Sequence, residues 1–320
     1  MYKVIFMGTP AFSVPILEAL ANSDLCEVSA VVTQPDRKVG RKKQLTATPV
    51  KEKAMEYDIP VFQPEKLSGS DELKAVLELR PDLVITAAYG QYVPTSLLHT
   101  PKFKAINVHA SLLPKYRGAA PIHYALINGE AETGVTIMYM EKEMDAGDII
   151  SQRHLTIENS DTVGSLFTKL SVLGRNLLME TLPHVFSREI KAQKQNESEV
   201  TYAPMIKPSE EKIEWSKSAE QISNKIRGMN PFPGAYTFLN GQRFKIWKAD
   251  TLKVANDEKP GTIIELNKNE CIVKCENQTA LSLKEVQPFG KPKMQIKDFL
   301  AGALNYLEEG MRFDEDKLEK

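Results

Sequence analysis

The alternation of short apolar runs with helix-spaced segments in the first half of the chain is the feature that most constrains the fold. Several runs are rich in β-branched residues and end at Gly, Pro or polar residues, as buried strands do. They are Lys3–Met7, Val28–Thr33, Leu83–Ala88 and Ala105–Val108. Between them, apolar residues recur at helical spacing, as in Val14–Leu20 and Asp71–Leu79. This alternation predicts an α/β fold with a mostly parallel sheet and helices on both faces.

The pattern changes after a long predicted helix. Its apolar stripe begins at Val163, and a proline in the helix interior leads us to expect its end near Pro183. Residues 188–208 are polar without a sustained period and are interpreted as a linker. The first predicted domain therefore comprises residues 1–187.

The second predicted domain, at residues 209–320, is a small β-barrel. Its strand runs are short and closely spaced, and Asn240-Gly241 between two of them is a strong hairpin signal. The charged end, Glu308–Lys320, is expected to fray.

Length and composition limit the class of protein. A chain of 320 residues suggests about two domains, and 42% hydrophobic with 26% charged residues is typical of globular proteins. The formal net charge of −1 excludes a globally basic nucleic-acid-binding surface but leaves a local one open. Three cysteines make no disulfide framework and are expected to pack in cores, and no apolar run reaches the roughly 20 residues of a membrane span. We therefore expect a reduced, cytoplasmic protein with no membrane association.

Two polar side chains two residues apart follow a predicted parallel strand. Asn107 and His109 would point to the same face of an extended backbone, and ligands of open α/β sheets bind beyond the carboxyl ends of such strands. An amide N–H can stabilise an oxyanion, while imidazole exchanges protons near neutral pH. Asp145, in the loop segment Met144–Asp148, would orient and charge the ring if the fold brings them together. Otherwise the three residues are a polar strand end and an ordinary turn.

Two basic segments are candidates for contact with phosphates. In residues 34–53, seven basic residues stand against two acidic ones, and Lys115 and Arg117 would extend this surface. The stretch is long for an α/β connection and is either a solvated loop or a nucleic-acid contact. In residues 225–253, basic residues interleave with aromatic ones such as Trp247. They form either a barrel core under ordinary surface lysines or a nucleic-acid-binding face.

The turn Gly8-Thr9-Pro10 after the first predicted strand retains one of the three glycines of a dinucleotide-binding turn. We interpret it as a structural turn, because a pyrophosphate needs the close backbone approach that the missing glycines would allow. This argues against a nicotinamide-dependent oxidoreductase.

Several motifs together resemble the methionyl-tRNA formyltransferase family over nearly the whole chain. In the first domain they are Phe6–Pro10, Thr33–Arg37 with Gly40-Arg41, Ala88–Gly90, Asn107–Pro114, Arg117–Ile122, Glu132–Thr136 and Met144–Asp148. In the second domain they are Asn230–Gly234 and Lys245–Ala249. The His-containing motif and the Asp-x-Gly-Asp motif are common to folate-dependent formyltransferases, whereas the basic loop and the second-domain motifs point to the tRNA enzymes.

The resemblance implies a Rossmann-like formyltransferase domain and a C-terminal, OB-like β-barrel that helps to bind tRNA. It also implies 10-formyltetrahydrofolate as the formyl donor and initiator methionyl-tRNA as the acceptor. We expect no metal and no obligate protein partner. The family's catalytic residues match Asn107, His109 and Asp145.

The binding residues implied by the resemblance fall into two sets. Those for folate are Ser111, Leu112, Leu113, Pro114, Tyr89 and Gly90. Those for tRNA are Arg41, Lys42, Lys43 and Arg37, within an inserting loop that matches Gln34–Thr48. The chain departs from the family pattern at Ala110, where Gly is also common, and at Lys42, where some members have Gly.

Three other interpretations stay open at this level. A formyltransferase for small amines, or a deformylase that passes the formyl group to water, would leave both basic segments without a role. A non-catalytic RNA-binding module would leave the Asn107, His109 and Asp145 set unexplained.

Overall fold

The computed structural model describes residues 1–40, 43–303 and 307–314 of the chain. They form two compact units. The first unit comprises Met1–Pro121, Glu132–Thr156 and Phe167–Pro204, and the second comprises Ile122–Ala131, Ile157–Leu166 and Met205–Lys320.

The secondary structure follows the predicted change from an α/β half to a β half. The strands in chain order are β1 (Tyr2–Gly8), β2 (Cys26–Val32), β3 (Arg37–Val39), β4 (Gln44–Thr46), β5 (Val61–Phe62), β6 (Leu83–Ala87), β7 (Ala105–His109), β8 (Glu132–Tyr139), β9 (Ile149–Thr156), β10 (Tyr236–Leu239), β11 (Gln242–Lys253), β12 (Ile263–Leu266), β13 (Cys271–Lys274), β14 (Thr279–Pro288) and β15 (Met294–Gln295). The helices are α1 (Val14–Ala21), α2 (Pro49–Glu56), α3 (Asp71–Glu78), α4 (Thr95–His99), α5 (Pro121–Ile127), α6 (Val163–Ser187), α7 (Ala219–Gly228) and α8 (Ile296–Ala303).

The first unit is built on a seven-stranded sheet in the order β5-β2-β1-β6-β7-β8-β9. In this order, the strands from β5 to β7 are all parallel to one another. Strand β8 pairs antiparallel with β7, and β9 pairs antiparallel with β8. Every residue of β6 is buried, which explains its mostly apolar character. The predicted Rossmann-like, mostly parallel sheet is confirmed. Because parallel strands end at one edge, the residues that follow β1, β6 and β7 meet there.

The end of helix α6 corrects the sequence analysis. The helix does not stop near Pro183 but runs on by one more turn with this proline inside it. Leu182, Val185 and Phe186 around the proline are all buried. An interior proline costs about 3 kcal/mol, whereas burying each of these side chains contributes about 1.5–3 kcal/mol. Burial therefore outweighs the lost hydrogen bond, and the helical path ends only at Arg188, whose φ is 62°.

The second unit contains an antiparallel sheet in the order β10-β11-β14-β13-β12, with β15 also paired to β14. The predicted turn joins β10 to β11, and its residues Asn240 and Gly241 have φ of 51° and 74°. Two positive φ values are what a type I′ hairpin turn requires. The core beneath the sheet includes a group of aromatic rings, with the Phe244 ring 5.2 Å from that of Phe299 and 5.7 Å from that of Phe313.

Residues 310–314 close this sheet into a barrel. On one side, Ile263 N of β12 donates to Met311 O at 2.8 Å. On the other side, Asp314 N donates to Phe238 O of β10 at 2.9 Å, and Phe238 N donates to Asp314 Oδ1 at 2.9 Å. The segment thus connects the two edge strands, and the predicted β-barrel is confirmed.

The closing segment also corrects an expectation. Residues 310–314 are paired rather than frayed, because Phe313 is buried within the core and the backbone on either side of it is hydrogen-bonded. A few apolar residues in a charged stretch are a weak sequence signal, and the docking of Phe313 depends on strands far away in the chain. The last part of Glu308–Lys320, residues 315–320, lies outside the described residues.

Two kinds of feature are absent from the described residues. No helix in 1–40, 43–303 and 307–314 combines the length and the apolar character that crossing a membrane requires. In the same ranges, no group of three His, Cys, Asp or Glu side chains is arranged to hold a metal ion.

All three cysteines are buried free thiols. Burial raises the pKa of Cys26 to about 11 and those of Cys271 and Cys275 to about 12. Only the thiolate is reactive, and an exposed thiol ionises near pH 8.5. We therefore expect a thiol reagent at pH 8 to modify the folded protein at least about 10²-fold more slowly than the guanidinium-unfolded protein. With a chromogenic thiol reagent, the unfolded chain should show three reactive thiols. Rapid modification of any cysteine in the folded protein would contradict this prediction.

Candidate functional site

Three side chains of the first unit come together at the carboxyl edge of its sheet. Asn107 and His109 lie at the end of β7, and Asp145 lies in the loop between β8 and β9. Asp145 Oδ1 is 3.5 Å from Asn107 Nδ2, and Asp145 Oδ2 is 3.7 Å from His109 Nδ1. The side chains of His109 and Asp145 are only 6% and 12% exposed. The amide, the imidazole and the carboxylate thus form one partly enclosed polar cluster.

The neighbouring strand orients the amide of Asn107. The hydroxyl of Thr86, on β6, donates to Asn107 Oδ1 at 2.7 Å. Because the oxygen end of the amide accepts this bond, the Nδ2 end faces Asp145. Asn107 Nδ2 and His109 Nδ1 therefore face the same carboxylate.

Oxygen atoms flank both nitrogens of the His109 ring. Nε2 is 3.0 Å from the carbonyl oxygen of Tyr116, and Nδ1 faces Asp145 Oδ2. A carbonyl only accepts, so the ring donates from Nε2. The Nε2 donor is occupied by Tyr116, which leaves Nδ1 as the nitrogen that can turn to a bound substrate.

The carboxylate of Asp145 is held by backbone as well as by side chains. Gly118 N donates to Asp145 Oδ2 at 2.9 Å, and Asp145 itself has a φ of 53°. Gly118 has a φ of 126°, and a Cβ atom there would lie 2.6 Å from the carbonyl oxygen of Ala203. Only glycine fits this close approach, which places its N–H against the carboxylate.

A second layer of polar side chains supports the Asp145 loop. Gln195 Nε2 donates to Asp145 O at 2.7 Å and to Gly147 O at 2.8 Å, while Gln195 Oε1 accepts from Arg117 Nε at 3.0 Å. Arg117 in turn forms a two-point ion pair with Glu197 at 3.3 and 2.8 Å. Arg117 is 2% exposed and turned inward, so the expectation that it extends the basic surface is wrong.

Sequence reasoning missed Gln195 altogether. It lies within residues 188–208, interpreted as a linker, and no local pattern separates it from the other polar residues there. In the structure this segment runs along the first unit as far as Pro204, with Arg117 N donating to Thr201 O at 2.9 Å. Only the contacts made far along the chain reveal its part in the site.

The segment Ser111–Pro114, expected to contact folate, is fixed by two side chains of the adjoining strands. Thr136 Oγ1 donates to Ser111 O at 2.7 Å and accepts from Leu113 N at 3.1 Å. Gln152 Nε2 donates to Leu113 O at 2.7 Å. The segment directly follows His109 and is held in one backbone conformation beside the cluster.

The other residues expected to contact folate follow β6. The ring of Tyr89 is packed in the core, burial raises its pKa to about 12, and its hydroxyl has no hydrogen-bond partner among the described residues. Its carbonyl oxygen accepts from Thr9 Oγ1 at 2.8 Å and from Gln34 Nε2 at 3.3 Å. Gly90, with φ of 86°, is exposed. The backbone here, rather than the Tyr89 ring, faces the edge of the sheet.

The basic stretch contains a two-stranded hairpin of β3 and β4, which the sequence analysis did not predict. Arg37 forms a two-point ion pair with Glu65 at 3.2 and 2.7 Å on the surface. Lys43, with φ of 48°, lies in the exposed turn. Arg41 and Lys42, also expected to contact tRNA, lie outside the described residues.

The second unit carries a basic and aromatic patch on its barrel. The Nζ atoms of Lys245 and Lys293 lie 5.3 and 5.6 Å from the centre of the Trp247 ring. Phe232 and Phe289 are exposed large aromatic side chains. Phe244 of the same stretch is buried in the barrel core, so the stretch combines core aromatic residues with a partly exposed Trp247 beside two lysines.

Comparison with known proteins agrees with both units. Residues 2–182 match the formyl transferase family, and residues 205–304 match the formyl transferase C-terminal domain. The methionyl-tRNA formyltransferase of Streptococcus thermophilus is 56% identical over 310 residues, which cover 97% of this chain and 98% of that protein.

Solved structures show the same fold at low sequence identity. An N-formyltransferase from Helicobacter canadensis, determined with folinic acid and dTDP-3-aminofucose, has a TM-score of 0.66 at 20% identity, with 90% of this chain and 100% of that chain covered. HypX from Aquifex aeolicus has a TM-score of 0.62 at 16% identity, and this chain spans about half, 52%, of its length. With two matching domains and more than half of its residues identical to a relative of the same length, the chain belongs to the formyl transferase family, among the methionyl-tRNA formyltransferases.

Proposed function

We propose that this protein transfers the formyl group of 10-formyltetrahydrofolate to the α-amino group of initiator methionyl-tRNA, giving N-formylmethionyl-tRNA for translation initiation. The observation that carries the proposal is the convergence of Asn107, His109 and Asp145 at the carboxyl edge of the sheet. Membership of the formyl transferase family supports the reaction type. Since charged tRNA is the acceptor, we place the activity in the cytoplasm.

In the proposed reaction, the α-amine attacks the formyl carbon, a C–N bond forms and the carbonyl electron pair moves to oxygen. Collapse of this tetrahedral oxyanion breaks the bond to N10 of the folate, which gains a proton while the new amide nitrogen loses one. Asn107 Nδ2 is a donor available to the oxyanion, and His109 Nδ1 is a second one in the doubly protonated form of the ring. Removing one such donor typically slows a reaction by about 10²–10³-fold.

Asp145 serves both donors in this mechanism. Its two oxygens face Asn107 Nδ2 and His109 Nδ1. The low exposure of the cluster strengthens these interactions, because little water screens them. We therefore assign Asp145 the role of orienting Asn107 and His109.

For substrate binding, we propose that Ser111–Pro114 with Tyr89 and Gly90 contact the folate. Support comes from their placement after β7 and β6, at the edge where ligands of α/β sheets bind. The fixed backbone of Ser111–Pro114 offers a preformed wall, which lowers the entropic cost of binding.

For the tRNA, we propose contacts from Arg37, Arg41, Lys42 and Lys43, with the barrel domain at residues 209–320 holding outer phosphates. The exposed β3–β4 hairpin supports this assignment, because it presents cations away from the sheet core. Arg37 would have to exchange Glu65 for a phosphate, so we expect it to contribute less than its neighbours.

A formylation assay tests the proposed function directly. Purified protein with 10-formyltetrahydrofolate should formylate methionyl-tRNA at least about 10²-fold more efficiently than methionine methyl ester, because remote tRNA contacts position the amine. Equal efficiency with the ester would contradict the tRNA assignment. Release of formate without any acceptor product would identify a deformylase instead.

Replacing Arg41 by alanine tests the tRNA-binding loop. We expect kcat/KM for methionyl-tRNA to fall by about 10-fold, with the KM for folate unchanged, since one phosphate contact is worth on the order of 1–2 kcal/mol. The dependence of log(kcat/KM) on log salt should become less steep by about one unit. Lys74→Ala, at an exposed lysine paired to Asp71 on α3, is the matched control. If Arg41→Ala behaves like this control, the loop is an ordinary solvated one.

A further inference from the structure

Gln195 joins two carbonyl groups on either side of Ala146. Its Nε2 atom donates to Asp145 O at 2.7 Å and to Gly147 O at 2.8 Å. These two bonds fix the backbone path of the loop at the residue that carries the carboxylate. The side chain is buried, so water does not compete strongly for these carbonyls.

The Gln195 amide has only one orientation that satisfies all its partners. Arg117 Nε can only donate, and it faces Gln195 Oε1 at 3.0 Å. The two loop carbonyls can only accept, so they require the Nε2 end. If the amide were flipped, Gln195 Nε2 would face the Arg117 Nε donor and Gln195 Oε1 would face the two loop carbonyl oxygens.

Arg117 connects this support to the carboxylate by a second route. Its guanidinium is anchored by the two-point ion pair with Glu197, which holds the Glu197 pKa below its ordinary value. The next residue, Gly118, donates its N–H to Asp145 Oδ2 at 2.9 Å. Arg117 and Gly118 thus bind Gln195 and the Asp145 carboxylate, respectively.

The contacts of Asp145 with Asn107 and His109 depend on the position of this loop and are sensitive to small displacements. Asp145 Oδ1 and Oδ2 lie 3.5 and 3.7 Å from the donors of Asn107 and His109, at the outer limit of a useful polar contact. A further shift of about 1 Å would separate the carboxylate from both donors, and a misplacement of that size can cost about 10²-fold in rate.

We propose that Gln195, held by Arg117, is a positioning residue that places the Asp145 carboxylate against Asn107 and His109. The inference rests on the proposed formyl transfer and adds to it a residue from the segment that connects the two predicted domains. Gln195 touches neither substrate in this account. It acts only through Asp145.

Two substitutions of Gln195 test this role. Gln195→Glu keeps an acceptor for Arg117 but removes both donors to the loop, whereas Gln195→Met keeps the length without charge. For both we expect kcat to fall by about 10–100-fold, with KM for tRNA and for folate changed by less than about threefold. Gln193→Glu, at an exposed position of the same segment, is the matched control and should retain wild-type kinetics. Thermal unfolding of each variant establishes that it is folded.

Coupling to Asp145 separates positioning from a general structural effect. In an Asp145→Asn background, adding Gln195→Met should lower kcat by less than about twofold, because the group it positions is already gone. Independent, multiplying effects would overturn the proposal, as would wild-type kcat in both folded Gln195 variants. Failure of the wild-type protein to formylate methionyl-tRNA would instead overturn the proposed function.

Discussion

Asp145→Asn is expected to lower kcat for formyl transfer by roughly 10²–10³-fold while leaving the protein folded. Asparagine has the same shape, and its Oδ1 can still accept from Gly118 N, which donates to Asp145 Oδ2 at 2.9 Å. Its second group is an N–H₂ donor, however, and this faces the Asn107 Nδ2 donor where Asp145 Oδ1 now lies at 3.5 Å. The negative charge beside the His109 ring is lost as well.

The measurement is single-turnover formylation at saturating folate and methionyl-tRNA, with thermal unfolding in parallel. Glu143→Gln removes an exposed carboxylate from the same loop and is the control, expected to keep wild-type turnover. We expect the midpoint of Asp145→Asn to stay within about 3 °C of wild type. Turnover within a factor of three of wild type would remove Asp145 from the mechanism.

Gly147→Ala is expected to abolish most activity and to destabilise the first unit. A Cβ atom on Gly147 would overlap the carbonyl oxygen of Tyr139 and lie 2.9 Å from its carbonyl carbon. Backbone atoms cannot swing aside as a side chain can, so the loop itself must move, and with it Asp145 two residues earlier. Overpacking of this kind typically costs about 1–3 kcal/mol, and displacement of the carboxylate by about 1 Å adds a rate loss near 10²-fold.

A glycine elsewhere provides the matched substitution. A Cβ atom on Gly302, in α8, meets nothing within 4 Å, so Gly302→Ala should leave activity unchanged and stability equal or slightly higher. Urea unfolding and formylation of methionyl-tRNA distinguish the two variants. If Gly147→Ala matched Gly302→Ala in both measurements, the close approach of Gly147 to Tyr139 would be unimportant for activity and for stability.

Much of the architecture can be predicted from local patterns. The strands β6 and β7 follow from short, mostly apolar runs, as expected of strands covered on both faces, and their polar residues Thr86, Asn107 and His109 lie towards the carboxyl ends. The β10–β11 hairpin follows from Asn240-Gly241, because these residues adopt positive φ at little cost. In both cases the preference resides within a few neighbouring residues.

Other features depend on partners that are distant along the chain. Helix α6 passes through Pro183 because burial of its neighbours outweighs the broken hydrogen bond. The segment 310–314 is ordered because two separate strands accept and donate its backbone bonds. Local composition predicts that the helix ends near Pro183 and that the chain frays over Glu308–Lys320. In both places the tertiary contacts outweigh this local preference.

The sequence by itself determined the fold class, the spacing that aligns Asn107 with His109, and the family of the chain. All three depend on residue types, motifs and local periodicity. Only the tertiary structure decided that Asp145 meets them and that Gln195 and Arg117 support its loop. The physical reason is that these contacts join β7, the β8–β9 loop and the segment after α6. Their relative placement results from the pairing order of the whole sheet and from burial, which no short stretch of sequence contains.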